Sequence, residues 1–349
     1  MGKVIIFPIL CMRFVKEKVK QFARAKAVAC SENFVVCSSG GQVKIFDKNL
    51  SLLQIITGLK YVYQCLISPD EKNILLVSIA NLFYIVDLES FFVTKHTMNG
   101  KYGDNLEGRG CWSLDGKGCY FCVESKKKVK SALRIYDDIQ SGEYRDLLCD
   151  KYWLTSVQAV PKRKKYLLTG YDHNTDVSYL IWYDGNIIEE FPVEGLSECN
   201  VISDVRYVEN GDYCIVIGSD GTIFCTVEGT LIKNFDLQET SAKTFSFMDI
   251  FQTAHMDVEE RKRIAAVSKR FGFEEMGVPE EIRDVCCSRD GQYFYVATLG
   301  NLFCINAQTN QIECEKDYPY GVEKIEQISE ELLLVTTWDS VECLRIDFE

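Results

Sequence analysis

The segment Tyr84-Ile85-Val86-Asp87 is a short run of β-forming residues that ends in an acid. Runs of this kind, in which apolar or aromatic residues precede an acid or its amide, occur seven times. The other six are Lys44-Ile45-Phe46-Asp47, Arg134-Ile135-Tyr136-Asp137, Ile181-Trp182-Tyr183-Asp184, Cys225-Thr226-Val227-Glu228, Phe303-Cys304-Ile305-Asn306 and Arg345-Ile346-Asp347. Successive acids or amides are 40, 50, 47, 44, 78 and 41 residues apart. A repeat of about 40 to 50 residues built only from strands is typical of a propeller blade, so the sequence predicts seven blades.

A polar turn precedes each of these runs and is followed by a strongly apolar segment. The turns are Ser31-Glu32-Asn33, Ser68-Pro69-Asp70, Ser113-Leu114-Asp115-Gly116, Pro161-Lys162-Arg163, Glu209-Asn210-Gly211-Asp212, Ser288-Arg289-Asp290-Gly291 and Ser329-Glu330-Glu331. Such residues suit short hairpins because they preset φ, tolerate positive φ or cap the backbone. We expect second strands at Phe34–Ser38, Ile74–Ser78, Cys119–Glu124, Tyr166–Thr169, Tyr213–Ile217, Tyr293–Thr298 and Leu332–Thr337. Their nearly continuous hydrophobicity predicts burial on both faces, as between stacked blades.

The seventh repeat ends at its third strand, which predicts that another segment completes the last blade. An unpaired strand edge would otherwise be left open to aggregation. We expect Val4–Leu10 to supply the missing strand, because it has the right length and composition. The prediction is one all-β domain over residues 1–349, a seven-bladed β-propeller closed by the N-terminal strand.

Two of the repeats carry a family resemblance. The runs from Ser68 to Ser78 and from Ser288 to Thr298, together with the third-strand acids, resemble the WD-repeat and YVTN-type β-propeller superfamily. This resemblance covers nearly the whole chain and implies the fold. No third strand ends in the Trp-Asp pair of the WD pattern, and the three histidines do not occupy a repeated position.

Composition restricts the classes of function. The net charge of −12 argues against a general nucleic-acid binder, and no apolar run approaches the eighteen residues of a membrane span. Most of the sixteen cysteines fall where strands need small apolar residues, which favours free thiols and a cytoplasmic location. Cys119 and Cys122 have CxxC spacing, but residues three apart on a strand point in opposite directions. We therefore expect no metal and no cofactor.

One segment interrupts the repeat. The interval between Glu228 and Asn306 is 30 to 40 residues too long, and the excess falls at about residues 238–281. Asp257 and Glu260 form a capping box, and apolar residues follow at helical spacing up to Gly272. The sequence predicts a helical insertion between blades five and six.

The leading functional hypothesis is a protein-interaction scaffold that binds a protein or peptide partner and is monomeric alone. Propeller topology puts the insertion, the loop 125–131, the loop 171–176 and the loop 99–110 on one face, so we expect binding there. The candidate partner-binding residues are Phe245, Phe247, Phe251, Phe271, Lys126, Lys127 and Lys128. The insertion could equally cap the disc for stability, and the lysines could simply be solvated.

Two alternatives use the central channel. A propeller enzyme of the lactonase type would gather polar residues from several inner strands, and a small-ligand sensor would use the channel as a pocket lined by tryptophans. The polar inner-strand residues form two sequence pairs, Asp204 with Arg206 and Arg283 with Asp284, for which we expect ion pairs. The tryptophans, for which packing between blades is the simpler expectation, are Trp112, Trp153, Trp182 and Trp338. No residue is assigned a catalytic role.

Overall fold

The structure is a computed structural model. It describes residues 12–22, 25–79, 81–102, 109–125, 131–194, 196, 201–208, 212–218, 223–235, 282–288, 290–298, 300–309, 311–318, 321–337 and 340–348. The chain forms two compact units: a middle unit of residues 24–242, and a terminal unit of residues 1–23 and 243–349. Its described strands form seven antiparallel sheets of four strands each.

The middle unit contains five of these sheets, each built from four consecutive strands. Blade 1 comprises β2 (Ala27–Cys30), β3 (Phe34–Ser39), β4 (Gln42–Asp47) and β5 (Leu52–Ile56). Blade 2 comprises β6 (Val62–Ile67), β7 (Asn73–Ser78), β8 (Leu82–Asp87) and β9 (Val93–Thr97). Blade 3 comprises β10 (Gly110–Trp112), β11 (Cys119–Glu124), β12 (Ser131–Tyr136) and β13 (Arg145–Leu147). Blade 4 comprises β14 (Trp153–Val160), β15 (Lys165–Asp172), β16 (Val177–Tyr183) and β17 (Ile188–Pro192), with a short 3₁₀ turn at Pro161–Arg163. Blade 5 comprises β18 (Ile202–Val208), β19 (Tyr213–Gly218), β20 (Ile223–Val227) and β21 (Thr230–Phe235).

The terminal unit contains the other two sheets. Blade 6 comprises β22 (Ile282–Cys287), β23 (Tyr293–Thr298), β24 (Asn301–Asn306) and β25 (Ile312–Asp317). Blade 7 comprises β26 (Val322–Gln327), β27 (Leu332–Thr337) and β28 (Ser340–Phe348), with β1 (Met12–Gln21) as its fourth strand. All seven predicted second strands are confirmed to within a few residues at their ends.

The strand that completes blade 7 differs from the prediction. β1 pairs antiparallel with β28 from Met12 opposite Phe348 to Gln21 opposite Ser340. The closing strand is therefore Met12–Gln21, and the assignment to Val4–Leu10, which lies outside the described residues, was wrong. Met12 and Phe14 point into the core, whereas Lys16 to Lys20 are exposed, as expected for an outer strand with one buried end. This mixture resembles a solvated basic segment in sequence, which explains the error.

The first-to-second-strand turns of blades 2, 3 and 6 share one hydrogen-bond pattern. In blade 2 the Ser68 hydroxyl donates to Asp70 at 2.7 Å and accepts from the backbone N–H of Asn73 at 2.9 Å. Corresponding bonds join Ser113 to Asp115 and Ser288 to Asp290. Each Ser-x-Asp turn thus satisfies its own backbone through two short side chains.

The recurring acid of the third strand caps the hairpin that follows it. Asp47 accepts backbone N–H groups from Asn49 and Ser51, both at 2.8 Å. Asp87, Asp184 and Asn306 accept corresponding bonds in their own hairpins. In blade 7 the pairing of Leu332 with Arg345 shows that Arg345, and not Asp347, occupies the equivalent position. No such hairpin follows there, because β28 continues to Phe348 against β1.

The core consists of apolar layers between neighbouring sheets. Cys119 packs with Leu75 and Phe83 of blade 2, whereas Cys122 packs with Leu154 and neighbouring residues of blade 4. The two thiols therefore face opposite sides of one strand, as predicted. Burial raises the pKa of both groups well above the ordinary value, so they remain protonated. The thirteen cysteines whose side chains the structure describes are free.

The Ser-x-Asp turns of blades 2 and 3 should make the folded protein less stable at low pH. The Ser68 hydroxyl lowers the pKa of Asp70, and the Ser113 hydroxyl lowers the pKa of Asp115, below the ordinary value of 3.8. Each folded-state pKa lies below the unfolded-state pKa, so the contribution is present above about pH 4 and is lost as pH falls through the folded-state pKa. We expect D70N/D115N to reduce the pH dependence of the free energy of unfolding, measured by urea denaturation between pH 7 and pH 3.

Candidate functional site

Trp153 is the centre of a side-chain cluster in the middle unit. We call the end where second strands pass to third strands the loop end, and the opposite end, with its short turns, the hairpin end. Trp153 begins β14 at the loop end, and its indole N–H donates to the Glu124 carboxylate at the end of β11. This bond joins blade 4 to blade 3. Because Glu124 stands just before the lysine segment 126–130, the bond ties the start of that loop to Trp153.

The loop between β15 and β16 packs on the same tryptophan. The exposed ring of His173 stacks on Trp153 with 6.0 Å between ring centroids and 15° between planes. Tyr171 contacts His173 edge to face at 5.0 Å and donates its hydroxyl to Asp176 at 2.9 Å. The loop between β15 and β16 in blade 4 and the end of β11 in blade 3 therefore meet at Trp153.

The inner strands carry buried ion pairs. Arg109, just before β10, forms an ion pair with Asp204 of β18, and Asp204 also lies 3.4 Å from Arg206. The Asp204–Arg206 pair predicted from sequence is confirmed. In the terminal unit, Asp284 pairs with Lys324 at 3.1 Å. These carboxylates are buried and balanced by cations, which fits a structural role.

Buried hydroxyls support the base of the cluster. Ser131, fully buried, donates to the Tyr152 carbonyl at 2.5 Å and accepts from the Leu154 N–H at 2.8 Å. Burial raises the pKa of Tyr152 to about 12, so the phenol stays neutral at physiological pH. The inner strand of blade 4 is thus held on both sides of Trp153, which gives the cluster a rigid support.

The side chains of this site are of the kinds that bind a partner molecule. It offers a partly buried indole, an exposed imidazole and a carboxylate whose geometry is fixed by the indole N–H. Within the described part of the chain, no group of three or more His, Cys, Asp or Glu residues could hold a metal ion. Aromatic rings on a rigid base are typical anchors for a protein partner.

The partner-binding residues predicted from the sequence all lie outside the described residues. Lys126, Lys127 and Lys128 follow Glu124 in the sequence but lie outside the described residues, as do Phe245, Phe247, Phe251, Phe271 and Trp338. The helical insertion predicted for residues 238–281 also lies outside them.

Trp112 donates to the Leu66 carbonyl at 3.0 Å and is buried between blades 2 and 3. Trp182 is buried between blades 4 and 5, so both tryptophans pack between blades as expected.

Sequence reasoning missed the joining of Trp153 and Glu124, which are 29 residues apart. One signal was present: Glu124 ends a predicted second strand just before an irregular loop, and Trp153 begins the next blade. Both positions map to the loop end once the topology is known.

The seven four-stranded sheets define a seven-bladed β-propeller of the WD40 kind, so the resemblance inferred from sequence is confirmed at the level of the fold. The structure is similar to the β-propeller domain of Cps50 (Swd1) from Myceliophteria thermophila, with a TM-score of 0.67 and 12% sequence identity. The match covers 96% of this chain and 100% of that domain. No protein-family model and no curated protein matches the sequence. Among the described residues, no helix is long and apolar enough to cross a membrane.

Proposed function

We propose that this propeller is a non-catalytic interaction scaffold that binds a protein or peptide partner at the loop end of blades 3 and 4. The single observation that carries the proposal is the Trp153 cluster, in which Glu124 at the end of β11 and His173 in the loop between β15 and β16 contact one aromatic ring. WD40-like propellers commonly serve as such scaffolds, and the fold supports this class of function.

The chemistry of the partner follows from the charge beside the cluster. Lys126, Lys127, Lys128 and Lys130 come directly after Glu124 and Ser125 in the sequence. A partner segment with acidic and aromatic or aliphatic residues would complement these lysines and the exposed His173 ring. The proposed site functions in the cytoplasm, in keeping with the free thiols.

The proposed role of the insertion rests on sequence. Residues 238–281 carry Phe245, Phe247, Phe251 and Phe271, whose aromatic side chains would add anchors to the binding face. Helical structure in this segment stays a prediction. Replacing it by a short Gly-Ser linker should weaken partner binding and leave the blades folded.

The lysine loop provides the sharpest test of the proposal. We expect K126Q/K127Q/K128Q, and separately H173A, to weaken binding of the native partner by about tenfold, because each removes contacts at the centre of the proposed surface. The measurement is a binding titration by surface plasmon resonance against the partner purified from the source cells.

The matched control is K117Q/K162Q/K164Q, which removes three lysines from hairpin-end turns of blades 3 and 4. The control should bind within about twofold of the unaltered protein. Equal weakening in both triple variants would show that net charge, and not the loop end, controls binding, and the proposal would then be wrong.

A further inference from the structure

A groove of about 640 Å³ lies at the hairpin end of the terminal unit, between blades 6 and 7. Its walls include Asp290, Tyr293 and Tyr295 of blade 6 and Glu330, Glu331 and Asp347 of blade 7. A volume of this size is within the range of small-ligand pockets. The proposed function does not use this groove.

The middle unit contains a groove at the equivalent position between two blades. There, the carboxylate of a glutamate accepts hydrogen bonds from the protein itself. It lies between blades 1 and 2, is about 240 Å³ in volume and is lined by Phe34, Glu71 and Asp87 among others. The Glu71 carboxylate accepts the backbone N–H groups of Glu32 at 2.9 Å and Asn33 at 3.3 Å. A glutamate of one turn thus binds the turn of the preceding blade.

In the terminal unit, the backbone N–H groups of the corresponding turn in blade 6 already donate to acceptors within that turn. Gly291 donates its backbone N–H to the Ser288 carbonyl at 2.8 Å, and Gln292 donates to Asp290 at 3.0 Å. Glu330 and Glu331 are exposed, and neither carboxylate forms a hydrogen bond or a close ion pair with a described residue, although Glu331 acts electrostatically on Arg345. Two carboxylates at the rim of the groove are therefore available to a ligand.

The charge of the groove favours a cation. Arg345 also lines it, but its guanidinium is neutralised by Asp347 at 2.6 Å and by Glu17 at 2.7 Å. Among the described residues, the four lining carboxylates of Asp290, Glu330, Glu331 and Asp347 outnumber the guanidinium groups of Arg345 and of Arg13, which lies 3.8 Å from Asp347. The potential in the groove is therefore negative, and a positively charged side chain is attracted to it.

Tyr295 supplies an independent indication of a ligand. This residue is 1% exposed, and its hydroxyl makes no hydrogen bond to any described residue, although it lines the groove. Buried polar groups in folded proteins are nearly always hydrogen-bonded. Burial raises the pKa of Tyr295, so its hydroxyl is neutral and can accept a hydrogen bond from a cationic donor.

We propose that this groove binds a lysine or arginine side chain carried on an extended segment of a partner protein. Glu330 and Glu331 pair with the cation at the rim, and the Tyr295 hydroxyl accepts one of its hydrogen bonds. The ring of the partly buried Tyr293 gives the alkyl part of the side chain an apolar wall. This second contact surface is independent of the Trp153 cluster.

The probe is a fluorescein-labelled nonapeptide of glycine and serine that contains two lysines, compared with the same peptide containing glutamines. Fluorescence anisotropy with the full-length protein should show the lysine peptide binding at least tenfold more tightly. We expect E330Q/E331Q to weaken lysine-peptide binding at least tenfold, and Y295F to weaken it about threefold with an unchanged melting temperature. The control E313Q/E315Q removes the same charge from the outer strand β25 and should change affinity by less than twofold.

Three results would overturn the proposal. Equal weakening by E330Q/E331Q and E313Q/E315Q would mean that the peptide responds to net charge alone. Unchanged affinity of Y295F for the lysine peptide would show that the Tyr295 hydroxyl does not contact the ligand. Tighter binding of free spermidine than of the lysine peptide would show that the groove takes a small polycation instead of a protein segment.

Discussion

A variant that lacks residues 1–21 is expected to aggregate or fail to fold, because it loses the whole of β1. Removal of β1 strips β28 of nine paired residues and exposes the core beside the missing Met12 and Phe14. It also leaves the buried carboxylate of Glu342 without Lys16. Loss of two core side chains alone costs about 4 kcal/mol or more, against a total stability of roughly 5–15 kcal/mol. Size-exclusion chromatography and circular dichroism provide the measurement.

The control deletion removes residues 1–11 and keeps the full β1 pairing, which begins at Met12. This shorter deletion should remain monomeric, with a melting temperature within about 2 °C of the intact protein. A monomeric, cooperatively folded protein after removal of residues 1–21 would show that β1 does not close blade 7.

The second large effect is expected from D146A in blade 3. The Arg134 side chain is fully buried and makes two bonds to the Asp146 carboxylate, at 2.8 and 2.9 Å. It also donates to the Asn99 carbonyl at 2.6 Å and lies 3.9 Å from the centre of the Tyr144 ring. Removing Asp146 leaves a buried guanidinium without its counter-ion, so we expect a loss of about 3 kcal/mol in the free energy of unfolding.

The comparison for D146A is D137A in the same blade. Asp137 pairs with Arg145 at 3.2 Å, but its side chain is 70% exposed. Exposed ion pairs contribute about 0–1 kcal/mol, so D137A should change the free energy of unfolding by less than 1 kcal/mol. Urea denaturation of both variants separates the two cases, and equal losses would contradict the special role of the buried Arg134–Asp146 pair.

The sequence predicted the repeated part of the fold well because turn chemistry and strand hydrophobicity agree there. Cys119–Glu124 and Tyr293–Thr298 were predicted to the residue, since polar turns bound each apolar run. The last blade was harder. Its acid was assigned to Asp347, although the hairpin that requires an acid does not follow β28, and its outer strand alternates lysines with a few apolar residues.

From the sequence, we could predict which face of the propeller carries the candidate site, but not which side chains meet there. Topology placed the loops 125–131 and 171–176 at one end. The structure shows that Glu124, at the end of β11 beside the first loop, and His173, within the second loop, both contact Trp153. Which side chains meet depends on the register of β14 against β15 and on the packing of blade 3 against blade 4. A single sequence does not encode these distances in a readable pattern, so Trp153 was interpreted only as a packing residue or a wall of the channel.

Site-specific photo-crosslinking tests the central claim, that the partner docks at the loop end of blades 3 and 4, most directly. A benzoylphenylalanine at position 127 marks the lysine loop, and one at position 92 replaces the 69% exposed Phe92 at the hairpin end of blade 2. We predict that irradiation with the native partner gives a discrete adduct from position 127 and none from position 92. An adduct from position 92 with none from position 127 would contradict the account.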